Sequence, residues 1–209
     1  MIEFPDPSQA NEDGLLAVGG NLESETLLAA YSNGIFPWFS QGDPILWWSP
    51  DPRMVLFPDV FYCNRRLNRR LKQAQYRFSW DEAFDLVIRT CAEIPRVGES
   101  GTWILPEMLD AYLNLYELGH AHSVEVWKGD VLIGGLYGVL LNGIFFAESM
   151  FSRETDGSKM ALAKLVERAK KERWKLIDCQ FHSGHLESLG AREISREAFL
   201  SAVRSSQVI

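Results

Sequence analysis

Cysteine is scarce in this chain. Cys63, Cys91 and Cys179 are an odd, widely spaced set in 209 residues. They cannot build a disulfide framework and fit a reducing compartment. No basic start followed by an apolar block opens the sequence, so Met1 to Asn11 does not read as a signal peptide. Long apolar runs are missing as well. The longest, Val131 to Ala147, holds four glycines and Asn142, which suits a buried hairpin better than a membrane span. These absences predict a cytoplasmic protein with no membrane partner. Basic residues are nearly missing from the first sixty positions, where Arg53 stands alone against nine acids. Subtracting these from totals of 21 basic and 28 acidic residues leaves 20 and 19 for residues 61–209. The net charge of −7 therefore comes from the first sixty residues.

What is present suits one or two compact units. The chain is 46% hydrophobic, which excludes disorder and is enough for a sizeable core. The overall charge argues against a nucleic-acid partner, yet Phe61 to Arg77 carries Arg65, Arg66, Arg69, Arg70, Lys72 and Arg77 with no acid. A partner responds to the local field, so the two readings conflict.

Residues 1–60 are rich in Gly, Pro and Trp and read as a small irregular domain, with a short helix capped by Ser24 and running through Tyr31. Residues 61–209 read as a second domain. Asn64 caps a basic helix with Leu67, Leu71 and Ala74 on one face. Ser79 and Glu82 have the spacing of a capping box before Phe84, Val87, Ile88 and Cys91. Pro106 suits the first turn of a helix that buries Leu109, Tyr112 and Leu115 and ends at Gly119. His122 to Trp127, Val131 to Leu140 and Ile144 to Phe151 form a meander through turns at Lys128-Gly129-Asp130 and Leu141-Asn142-Gly143. A helix opens at Ser158, Lys175 to Gln180 is a strand, and His182 to Leu189 and Ser195 to Val203 close the chain as helices. The fold class is α+β. A meander, a helix and a further strand resemble the GNAT acyltransferase core, with a mostly antiparallel central sheet.

Specific motifs agree along nearly the whole chain. They are Gly14-Leu-Leu-Ala-Val-Gly-Gly20, Gly34-Ile-Phe-Pro-Trp-Phe39, Trp47-Trp-Ser-Pro-Asp-Pro-Arg53, Thr102-Trp-Ile104, His120-Ala-His-Ser-Val-Glu-Val-Trp127, Gly134-Gly-Leu-Tyr-Gly138, Glu148-Ser-Met-Phe-Ser-Arg153, Ile177-Asp-Cys-Gln180 and Ser188-Leu-Gly-Ala-Arg192. In this ordered set the sequence resembles the leucyl/phenylalanyl-tRNA–protein transferase family. Departures include Ala147 for a usual Gly, Asn21 for Asp, Gly157 for Ala, and the loop at His182-Ser183-Gly184.

The resemblance implies a bacterial enzyme of the N-degron pathway; a monomer is the expected state, though no residue pattern fixes it. It would take Leu or Phe from leucyl-tRNA or phenylalanyl-tRNA. It would join that residue to the free α-amino group of proteins beginning with Arg or Lys, marking them for degradation. The ester is already activated, so aminoacyl-tRNA serves as co-substrate and neither cofactor nor metal is implied.

The resemblance makes Asp178 and Gln180 the catalytic candidates. On a strand their spacing puts both on one face. Asp178 is either a general base assisted by Gln180 or an orienting group while the ribose hydroxyl relays the proton. By residue type alone it equally well caps the following loop. Glu148, in an apolar run, needs a partner; an acceptor ammonium or Arg153 would serve. The resemblance gives Glu148 the acceptor side. It gives Leu136, Phe145, Met150, Leu162 and Ile177 the aminoacyl pocket, Trp38 and Trp103 the terminal adenosine, and Arg65, Arg66, Arg69, Arg70 and Lys72 the tRNA phosphates. Taken singly, each apolar candidate reads better as ordinary core by helix and strand periodicity. Cys179, His182 and His185 share a three-residue spacing but lack an evident fourth zinc ligand. An acetyl-CoA acetyltransferase would want a glycine-rich diphosphate loop, and Arg153 to Ser158 has one glycine and two acids. A non-catalytic tRNA-binding module would keep the basic helix but gives Asp178, Gln180 and Glu148 no reason to occur together.

Overall fold

The structure, a computed structural model, describes residues 3–94 and 104–205. Its first strands, β1 (Leu15–Val18), β2 (Phe36–Pro37) and β3 (Leu46–Trp48), form a three-stranded antiparallel sheet in the order β1-β3-β2. Between them lies α1 (Ser24–Ser32). Ser24 is the first helical residue and not the cap. The cap position is Glu23, whose side chain makes no capping bond; upstream, Asn21 accepts from the Glu23 N–H and the Thr26 hydroxyl.

The chain then enters the large sheet at β4 (Arg53–Leu56), before the composition changes at residue 60. There follow α2 (Arg65–Leu71), β5 (Tyr76–Trp80), α3 (Phe84–Glu93), α4 (Pro106–Glu117), β6 (Ala121–Lys128), β7 (Val131–Leu141), β8 (Ile144–Ser152), α5 (Gly157–Glu172), β9 (Leu176–Gln180), α6 (Gly184–Glu187), β10 (Arg192–Ile194) and α7 (Arg196–Ser205). Asn64 caps α2 as its sequence predicts, its side chain accepting from the Leu67 N–H at 2.9 Å. The expected capping box at Ser79 does not form. Ser79 lies in β5, where Tyr76 to Trp80 pairs with β6, and Glu82 instead receives Arg77. Cross-strand pairing outweighs a local cap here.

The seven strands run in the order β10-β4-β9-β8-β7-β6-β5. Every neighbouring pair is antiparallel except β8 and β9, so the sheet is mixed. Its two faces bury separate cores. Leu132, Tyr137 and Val139 of β7 join the core with α1, α3, α4 and α7; Ile133 and Leu136 join the core with α2 and α5. The helix α5 lies against β7 at backbone distance. A Cβ on Gly134 would meet the Gly157 carbonyl carbon at 2.4 Å, and one on Gly157 would meet the Ile133 carbonyl oxygen at 2.6 Å. Among the described residues, no helix is long and apolar enough to cross a membrane.

Candidate active site

The parallel pairing of β8 and β9 covers only Ile144 to Phe146 against Leu176 to Asp178. Beyond it the two strands part. Each also carries an extra residue at that point. Tyr137 and Gly138 of β7 face Ser149 and Ala147, which leaves Glu148 as the bulged residue of β8. Val55 and Met54 of β4 face Asp178 and Gln180, which leaves Cys179 as the bulged residue of β9. A bulge re-aims a side chain and ends regular pairing. Between the parted strands lies a cavity of about 270 Å³, lined by Leu136, Ala147, Glu148, Ser149, Met150, Leu162, Cys179, Gln180 and Leu186. Its wall is mostly apolar, with the polar groups contributed by the two bulged segments.

The bulge in β9 separates the two catalytic candidates. Gln180 takes a left-handed backbone conformation, φ +57°, and lines the cavity. Such a conformation costs on the order of 1–3 kcal/mol in a residue with a side chain. It is held by the Gln180 N–H, which donates to Asp178 Oδ1 at 3.1 Å. The Gln180 side-chain nitrogen is buried and has no hydrogen-bond partner among the described residues. Asp178 does not line the cavity. It is fully buried in a two-point pair with Arg53, whose Nε donates to Oδ1 at 2.8 Å and Nη2 to Oδ2 at 2.6 Å. Phe36 and Phe199 cover the guanidinium from 4.7 and 4.4 Å, and Nη1 is left without a partner. A shared face for Asp178 and Gln180 is thus corrected by one inserted residue and one left-handed turn. Asp178 both caps the turn and anchors Arg53.

Glu148 is half-buried at the cavity wall. Arg153, one expected partner, turns away to Thr90 and the Leu132 carbonyl. Two tyrosines from distant helices take its place. Tyr31 of α1 donates to Oε1 at 2.8 Å and Tyr112 of α4 donates to Oε2 at 2.8 Å; the two hydroxyls also touch each other. Burial pushes the Glu148 carboxyl up to about 7. The tyrosine hydrogen bonds oppose this, Asp178 adds to it, and Arg53 opposes it. Burial, with the Glu148 charge behind it, also raises both phenols well above their ordinary value. Cys179 is pushed up by burial as well.

Of the expected aminoacyl pocket, Leu136, Met150 and Leu162 line the cavity. Phe145 and Ile177 do not. Both are fully buried core, and Phe145 stacks on Trp174 at 5.7 Å with parallel rings. Trp38 is 42% exposed and sits in an aromatic cluster with Trp48 and Phe181, the residue after Gln180. Trp103 lies outside the described residues. On α2, Arg65, Arg66, Arg69 and Lys72 are exposed. Arg70 departs from the expected basic face: it bends back to Asp156 at 3.2 Å and to the Tyr76 hydroxyl at 2.8 Å. Arg66 also reaches Asp156, at 3.3 Å. Asp156 precedes α5 and is an acid eighty-six positions from Arg70, so no local charge count could include it.

Sequence reading missed Arg53, Tyr31, Tyr112 and Leu186. Arg53 alone carried a signal, as the single base in an acidic stretch. The tyrosines reach Glu148 across 117 and 36 residues and left none.

Comparison with known proteins agrees with the motifs. A family model described as leucyl/phenylalanyl-tRNA protein transferase matches residues 55–204. A second, for the N-terminal domain of the same family, matches residues 20–51. The leucyl/phenylalanyl-tRNA–protein transferase of Anaeromyxobacter sp. strain K is 56% identical over 198 residues, covering 95% of this chain and 85% of that protein. That of Syntrophus aciditrophicus is 54% identical over 206 residues, covering 99% and 86%. Among solved structures, a GCN5-related N-acetyltransferase from Kribbella flavida superposes with a TM-score of 0.44 at 10% identity, covering 80% of this chain and 59% of that one.

Proposed function

The chain belongs to the leucyl/phenylalanyl-tRNA protein transferase family, and from that premise we propose how its fork of strands carries out the transfer. The enzyme moves leucine or phenylalanine from a tRNA ester to the terminal amine of a protein. The apolar side chain of the donor lies in the cavity against Leu136, Met150, Leu162 and Leu186. An apolar guest needs no polar recognition there, and a flexible Met accommodates both a branched and an aromatic one. The ester carbonyl lies at the mouth, where Gln180 Nε2 supplies the hydrogen bond it otherwise lacks. Asp178 and Arg53 act from behind by fixing the left-handed turn that presents Gln180. The meander, helix and parting strand fit the GNAT-like acyltransferase core expected from the sequence.

The acceptor amine approaches from the Glu148 side, and a basic first residue, Arg or Lys, suits the negative charge of the carboxylate. Holding amine and ester in line contributes about 7–11 kcal/mol, and no ATP or metal is required for an ester already activated. Trp38 and Trp103 hold the terminal adenosine, and Arg65, Arg66, Arg69 and Lys72 meet tRNA phosphates. Such modified proteins are marked for degradation, and the protein works in the cytoplasm as a monomer.

The single observation that carries this reading is the cavity at the strand fork, apolar inside and edged by Glu148 and Gln180. The test incubates the protein with radiolabelled leucyl-tRNA and two peptides, one beginning with Arg and one with acetylated Arg. Label is expected on the free Arg peptide alone, without added ATP, and its transfer is lost in Gln180→Ala. Label on both peptides, or on neither, would reject the reading.

A further inference from the structure

Three oxygen contacts close a ring: Tyr31 to Glu148 Oε1, Tyr112 to Glu148 Oε2, and Tyr31 to Tyr112. Each hydrogen bond needs one proton. Two phenols hold two, so an ionised Glu148 leaves one contact as lone pair against lone pair. A protonated Glu148 supplies the third and the ring closes, every hydroxyl donating once and accepting once. The ring is therefore built around a carboxyl group that gains and loses a proton at the cavity wall.

We propose that Glu148 takes the proton of the incoming α-ammonium, with Tyr31 and Tyr112 as positioning residues that hold it ready for that exchange. This rests on the transferase reading. With the ring one proton short, Glu148 faces the acceptor as carboxylate. An ammonium N–H bond breaks, a Glu148 O–H bond forms, and the electron pair stays on nitrogen to attack the ester carbonyl carbon. As the carbon–oxygen bond to the ribose breaks, a second proton passes from nitrogen to the ribose oxygen. The third stays on the new amide, and Glu148 later returns its proton to solvent.

Asp178 is badly placed for this work. Both its oxygens already accept from Arg53 and one from the Gln180 N–H, so protonating it would break the buried pair. Glu148 is suited on energetic grounds too: a carboxyl near 7 faces an α-amine of about 7.7–8.0, so the exchange is nearly balanced. The groups facing the ring are Tyr31 from α1, Tyr112 from α4, Arg53 from β4 and Asp178 from β9, with Tyr137 of β7 behind the tyrosines.

Infrared difference spectra of the free protein between pH 5 and 9, compared with Glu148→Gln, isolate the carboxylic C=O band of Glu148. That band is expected to titrate near neutrality. Tyr112→Phe and Tyr31→Phe each remove a direct donor to the carboxylate, which outweighs the loss of the weaker contact between the phenols, so the midpoint should move up by about one pH unit. The acid limb of kcat/KM should move with it, giving about fivefold loss at pH 7 that is recovered by pH 9. A structural role would lower the rate equally at every pH. A Glu148 band gone by pH 6, or a parallel loss across pH in both tyrosine variants, overturns the proposal while leaving the transferase reading intact. No transfer by the wild-type chain removes the reading, and the proposal with it, whatever the band does.

Discussion

Glu125 and Glu148 stand on β6 and β8 of one sheet, both among apolar neighbours, and they are treated in opposite ways. Glu125 is fully buried and accepts from the hydroxyls of Ser79 and Ser123; Trp127 Nε1 donates in turn to Ser79. All of these partners lie on β5 and β6, so two adjacent strands close the network themselves. Glu148 is met by two tyrosines from helices far away in sequence, and it opens on a cavity. The first arrangement satisfies a carboxylate and ends there. In the second, both carboxylate oxygens accept from phenols, but the contact between the two phenols lacks a proton unless the acid supplies one. A buried acid is thus no sign of function until one asks whether its partners can be complete without a guest.

The sharpest way to break this contrast begins behind the fork. Asp178→Asn leaves Arg53 buried and without its carboxylate, a loss of about 3–5 kcal/mol of stability. Chemical denaturation reads it directly, and a loss below about 1 kcal/mol would show that the pair is not sealed from water as described. Next comes the pH dependence of stability. The Glu148 carboxyl binds its proton more tightly folded than unfolded, being raised from 4.5 to about 7. Between those values the native state holds more protons, so stability falls as pH rises. The fall amounts to at most about 3 kcal/mol and is complete above about pH 7. Glu148→Gln should flatten that part of the curve, whereas an unchanged slope would assign it to other groups.

Glu125→Gln tests the closed side. It should cost about 1–2 kcal/mol, because an amide cannot accept from both serines through two oxygens. The transfer rate should stay within twofold of wild type; a larger drop would erase the distinction between the two acids. The smallest effects lie on α2. Arg65→Ala and Arg69→Ala should each lower the salt slope of aminoacyl-tRNA binding by about one. Arg70→Ala, whose charge already meets Asp156, should leave the slope nearly unchanged and lower stability instead.

The same contrast separates what was legible in the sequence from what was not. The meander, its two turns, α5 and β9 were written in local periodicity and turn residues, and the structure places them within a residue or two. The strand β4 was hidden among Pro50, Pro52 and Pro58, where the chain looks broken, and β10 is only three residues long. The Glu125 network could not be foreseen because Ser79 was read as a cap. Resemblance named Glu148 and Gln180, but the geometry that makes them face one cavity depends on two bulges. A bulge is decided by how neighbouring strands register, and no residue type announces it. Tyr31 looked like the buried end of a short helix and Tyr112 like helix core. Both are that, and each still spends its hydroxyl on an acid elsewhere in the chain.

The close backbone approach of Gly134 and Gly157 bears on the width of the cavity. Leu136 follows Gly134 by two residues on β7, and Leu162 follows Gly157 by five on α5; both line the cavity wall. The spacing between these leucines is therefore gauged by two hydrogen atoms, where any other residue would put a carbon. Enlarging either glycine by one methyl wedges the helix off the strand and widens the calibre of the cavity at its source. The width of the cavity is thus set at a point outside its own lining.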